Sequence, residues 1–164
     1  MRLSLPKQLS RFVLSPGSIV LIDIFLGVLG IEVFLDVVNF ALGQKADFKY
    51  AIEGVSGLAT MFVGYGVVVE SRADLMRIGG LYPALDSDYQ HRIDGLCHDY
   101  GLLFLVVALL LEVSEQLLLL PNDFVNTAGF ERGTCVVLSA LFFILLVLLV
   151  RHSLGMGWLA LRRR

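Results

Sequence analysis

Cysteine, proline and tryptophan are scarce in this chain: two, four and one in 164 residues, with only 17% of positions charged. Two cysteines cannot build a disulfide scaffold. The apolar runs hold no lysine or arginine in their interiors, and the thirteen basic residues are scattered rather than gathered into one patch. That scatter excludes a nucleic-acid surface of the usual basic kind. His-Glu-x-x-His, Gly-x-Ser-x-Gly, a phosphate-binding glycine loop and paired Cys-x-x-Cys are all missing, as is the Glu-x-x-His of di-iron bundles. The chain is therefore expected not to be an enzyme.

What is present is hydrophobicity: 57% of residues are apolar and the mean hydropathy is +0.79. About 20 apolar residues make a helix long enough to cross a bilayer. Four blocks qualify, at residues 18–42, 52–69, 96–120 and 134–154. They take up just over half the chain and leave no room for a separate soluble domain. The expectation is an all-α integral membrane protein in contact with the lipid bilayer, a single membrane domain over residues 1–164 built as a four-transmembrane-helix bundle.

The basic residues orient it. Arg2, Lys7, Arg11, Arg72, Arg77, Arg92, Arg151, Arg162, Arg163 and Arg164 would lie on one side, against only Lys45, Lys49 and Arg132 on the other. By the positive-inside rule both termini and the loop between helices 2 and 3 are cytoplasmic (N-in/C-in), in a membrane of the bacterial inner type. The first apolar run is too long for a signal-peptide core and carries acids, so it reads as an uncleaved span. Residues 1–17 read as a short N-terminal interfacial helix, with Ser18 capping span one. The loop from Glu70 to Gly95 is the longest connection; its helix-forming flanks extend span two, turn at Gly79-Gly80 and re-enter from Ser87. Span two, with Gly54, Gly57, Gly64 and Gly66, is expected to pack centrally. Span four, apolar all round, reads as the lipid-facing helix or the one that docks on another subunit. Cys97 and Cys135 fall at opposite ends of their helices, too far apart for a bridge, and read as small buried residues.

The informative anomaly is acid inside apolar runs. Glu32 and Asp36 stand one turn apart in "IEVFLDVVNF", with Asn39 on the same face; Glu112, Ser114, Glu115 and Gln116 stand in "LLLEVSEQ". Counted along their helices, the two sets lie at similar depth, in the outer half of the membrane, with Glu53 near. Carboxylates at such depth cost about 2.5–3.5 kcal/mol each on insertion scales, so they should point into a bundle or a wet cavity. Glu32, Asp36, Glu112 and Glu115 are thus the candidate site, for protons or a divalent metal cation, with Asn39 and Ser114 as neutral ligands. The competing reading makes the acids interhelical glue, or the complement of a partner's basic residues in an accessory subunit. Four spans are few for a transport pathway, so a homo-oligomer or other membrane subunits are expected as partners.

Asp23 falls on the face of span one opposite Glu32, near the cytoplasmic interface. Glu70, Asp74, Arg72 and Arg77 read as a solvated helix end. His91, Asp94 and His98 lead into span three and His152 closes span four. A haem held by His98 and His152 is the third and weakest reading, behind the ordinary role of interfacial histidines.

Overall fold

A computed structural model describes residues 11–44, 48–82, 87–119 and 131–161. The elements are α1 (Pro16–Ala41), α2 (Phe48–Glu70), α3 (Arg72–Ile78), α4 (Asp88–Leu119) and α5 (Glu131–Leu161). Among the described residues there is no strand. Four of the helices, all but α3, are long and apolar enough to cross a membrane, and the architecture is that of a helical membrane protein. Of the expected interfacial helix, residues 11–13 are helical and residues 1–10 lie outside the described residues.

Local chemistry explains most helix ends. Ser15, not Ser18, caps α1: its side chain accepts the Ser18 N–H at 3.2 Å, and Pro16 follows at the first helical position. Proline there loses nothing, because its missing N–H would have had no helical partner. The freed Ser18 hydroxyl donates to the Phe12 carbonyl at 2.6 Å and ties the preceding turn down. α1 ends through Gly43 at φ 74°, a left-handed turn that glycine adopts without a Cβ clash. Gly80, at φ 68°, closes α3 in the same way, so the Gly79-Gly80 turn falls where the sequence puts it. Ser87 accepts the Gln90 N–H at 3.3 Å and starts α4. The polar segment from Asp88 is therefore the first two turns of α4, eight residues ahead of the expected span.

The core is made by one stripe on each long helix. On α5 it runs Cys135, Leu138, Phe142, Leu145, Leu149, His152 and Met156, all buried, at alternating steps of three and four. α1 contributes Ile19, Asp23, Leu26, Gly30 and Val37, and α4 contributes Ile93, Cys97, Phe104, Ala108, Leu111 and Glu115. On α2 the stripe is Ile52, Val55, Ala59, Phe62, Tyr65 and Val69. Such spacing keeps each seam facing its neighbours in a left-handed bundle.

Around the bundle the order is α1, α2, α4, α5, so that α1 and α4 stand diagonally. α2 packs between α1 and α4 as its glycines suggest, but only two of the four make the close approach. Gly57 and Gly64 face open space; Gly66 meets Gly101 and Leu105, and Gly54 meets Val33. α5 is as buried as α1 and α4, and α2 is the most buried of the four. α5 packs on both α1 and α4 and carries a buried histidine.

Candidate functional site

The polar side chains on and beside the buried stripes gather in two layers. The first is centred on Asp23. It is the second residue of the α1 stripe, and its side chain enters the bundle near the end where α1 begins and α5 ends. Asp23 is 2% exposed and His152, across on α5, is 0% exposed. Asp23 Oδ2 lies 2.9 Å from His152 Nδ1 and accepts the Ser153 hydroxyl at 2.9 Å. Its other oxygen, Oδ1, accepts the Tyr65 hydroxyl from α2 at 2.5 Å. Two helices, α2 and α5, thus place three donors on one carboxylate of α1. The remaining imidazole nitrogen, His152 Nε2, faces the Cys97 thiol of α4 at 4.0 Å. With Nδ1 donating to Asp23, Nε2 is left as an acceptor for that thiol. Tyr100 lies against the imidazole at 5.2 Å between ring centroids, and Phe104 meets it edge-on at 5.6 Å.

Just outside this layer, toward the chain ends, Arg72 is 1% exposed. Its Nε donates to the Leu14 carbonyl at 2.9 Å and its Nη2 to Gln90 at 3.1 Å, while Nη1 pairs with Asp94. Asp94 also accepts the Tyr82 hydroxyl. The solvated helix end expected here is instead a clasp joining the segment before α1, the α3 turn and the start of α4. Asp74 and Arg77 do form an exposed pair, at 3.1 Å.

The second layer holds the acids that the sequence pointed to. Glu32 is exposed and Asp36 half-buried; with Val33, Ala51, Glu53 and Gly54 they line a groove of about 180 Å³ between α1 and α2. Glu112 accepts the Thr60 hydroxyl of α2 at 3.5 Å. Glu115 is 1% exposed and sits beside Ser56, with Gln116 donating to it at 3.5 Å. α1 and α4 being diagonal, the two pairs lie on opposite flanks of α2. Asn39 is half-buried on α1, and the Ser114 hydroxyl donates to its own helix at Leu110, 2.7 Å away. Among the described residues, no group of three or more His, Cys, Asp or Glu side chains is placed to hold a metal ion.

No family model, curated protein or solved structure matches this chain. Its own geometry has to carry the functional argument.

That geometry separates the histidines. His98 is on the outside of α4 and pairs with Glu70 at 3.2 Å, whereas both nitrogens of His152 face Asp23 and Cys97 inside the core. The two do not face a common space, so the arrangement needed for a shared haem is not the one found. Cys97 and Cys135 are both buried and free.

The sequence reading passed over Asp23, Arg72 and the inward role of His152. A signal was present: Asp23, His152 and Glu115 all fall on three-four stripes of otherwise apolar residues. Glu32, Asp36 and Glu112 fall off them.

Proposed function

We propose that this chain is a small membrane-embedded bundle that binds protons at the Asp23–His152 pair and works within an oligomer or a larger membrane complex. The observation that carries the reading is the burial of a carboxylate with three donors on it, one of them an imidazole. Ionisable groups within a membrane bundle are costly and are kept where their charge is used. Well-packed apolar residues would often be as stable in such a place as a buried ion pair. Asp23, His152, Tyr65 and Cys97 form a connected set of groups that can hold a proton in more than one position. The excess of basic residues at the two ends and in the α2–α4 connection supports placing that side in the cytoplasm, and a bacterial inner membrane suits the topology.

The test uses the single tryptophan. Trp158 lies on α5 six residues beyond His152. In purified wild-type protein its emission should change with pH, and the change should disappear in Asp23→Asn and His152→Gln. An unaltered transition in both variants would overturn the proposal.

A second reading is favoured by one observation, the exposure of Glu32. It stands on the outer surface of α1 among exposed Ile31, Leu35 and Val28. A carboxylate so placed in lipid calls for a cationic complement or a proton. In this reading the groove of Glu32, Asp36 and Glu53 receives a basic side chain from a partner helix. Copurification of a membrane partner with the wild-type chain, lost in Glu32→Gln, would support it; the same partner retained by Glu32→Gln would overturn it.

A further inference from the structure

Among the described residues Asp23 and Glu115 are the two buried acids, and the material separating each from water differs. On one side of His152 lie Cys97, then Asp94 one turn earlier on α4, about 4.5 Å along the helix. Asp94 is 11% exposed and sits in the clasp of Arg72, Gln90 and Tyr82. On the other side Phe104 closes over the imidazole, and its ring also packs on Tyr65 and Phe62, at 5.7 and 6.2 Å. Phe62, Phe104, Phe142, Leu111, Leu138 and Leu145 are all fully buried there. From Phe104 the next ionisable group in the α4 stripe is Glu115, eleven residues or about 16 Å farther.

We infer that the Asp23–His152 site exchanges protons with one face of the membrane only, the face at which α1 begins and α5 ends (the chain-end side), through Cys97 and the Arg72–Asp94 clasp. The inference rests on the proton-binding reading and adds its sidedness. The titratable or charged groups that face the route are Asp23 from α1, Tyr65 from α2, Arg72 from α3, Tyr82 from the turn after it, Asp94, Cys97 and Tyr100 from α4, and His152 from α5. Tyr65 and Tyr100 touch Phe104 from the His152 side, and none of these groups lies beyond it. A proton arriving from the opposite side would have to pass that layer as a charge in apolar surroundings, where no group can receive it. From the chain-end side the steps are short, and separating Arg72 from Asp94 lets water in beside Cys97. The clasp is therefore the gate, and Phe104 is the seal.

The experiment uses the full chain in sealed vesicles of known orientation, acidified on one side at a time. The readout is the infrared carbonyl band of protonated Asp23, identified by its loss in Asp23→Asn. The band should follow the pH of the chain-end side and ignore the other. A response to the opposite side would overturn the sidedness and leave proton binding standing. No response to either side, with wild-type and Asp23→Asn spectra alike, would overturn both. Should Asp23→Asn fail to fold, Cys97 reports the same route without touching the acid. In a Cys135→Ala chain, a membrane-impermeant maleimide should label Cys97 from the chain-end side, severalfold faster once Arg72→Gln opens the clasp. Equal or faster labelling from the opposite side, or no gain in Arg72→Gln, would overturn the inference.

Discussion

Asp23 and His152 are 129 positions apart in the chain and 2.9 Å apart in the bundle. The contact joins the first long helix to the last. Because the carboxylate also accepts from Tyr65 and Ser153, removing it strands three donors at once. Asp23→Ala should therefore destabilise the purified protein by about 3–5 kcal/mol, the range for breaking a buried pair from one side. With Asp23→Leu and His152→Leu made singly and together, the double variant should lose less than the two single losses added. Thermal melting in one detergent gives the cycle, and strict additivity would mean that the two side chains do not act as a pair.

Arg72 places three donor groups on two segments, the Leu14 carbonyl before α1 and Gln90 and Asp94 at the start of α4. Arg72→Ala leaves Asp94 half-buried without its cation and frees the Leu14 carbonyl, for a loss of about 3 kcal/mol. Arg72→Lys should restore little, since a single ammonium does not match acceptors spread around a guanidinium fork. Faster hydrogen exchange in the α3 turn would be the local sign; unchanged exchange there would count against a clasp.

The α2–α4 crossing depends on a missing side chain. A Cβ on Gly101 would come within 2.4 Å of the Glu70 backbone nitrogen and 2.7 Å of its Cα. Backbone cannot step aside as a side-chain tip can, so Gly101→Ala should push the helices apart and cost about 1–3 kcal/mol. Gly57→Ala, which meets nothing, should be neutral or stabilising by up to about 1 kcal/mol through helix propensity alone. Equal melting of the two variants would contradict the packing.

Glu32 offers the opposite case. Exposed on α1, it holds little of the fold, and Glu32→Leu should leave melting within about 0.5 kcal/mol. A partner carrying a basic helix should nevertheless be lost from the purified complex. Marked destabilisation of the isolated chain would instead assign Glu32 to the bundle itself.

Phe104 tests the aromatic layer. It is fully buried and touches Tyr65, Phe62, Tyr100 and the His152 ring. Phe104→Ala should cost about 3–5 kcal/mol through the cavity it leaves. Leu102→Ala, two residues away on the exposed face, should cost far less in the same melting measurement.

The sequence by itself determined the four long helices, the Gly79-Gly80 turn and the burial of Cys97 and Cys135. Length, hydropathy and turn chemistry are local properties, and nothing distant has to be known to read them. It also put Glu32 and Asp23 on opposite faces of α1, because helical angle is local too. Which face turned inward was another matter. With apolar residues on every side of α1 and α5, average hydropathy marks no seam, and the acids drew the eye to Glu32 rather than to Asp23. Only the tertiary structure decided that α1 and α4 are diagonal, which sets Glu32 and Asp36 on one flank of α2 and Glu112 and Glu115 on the other. Only it turned Arg72 from a surface charge into a clasp. The pairing of helices is settled by which stripes interlock, through shape and the few polar groups that must find partners away from water. That choice belongs to all four helices together and to no single segment.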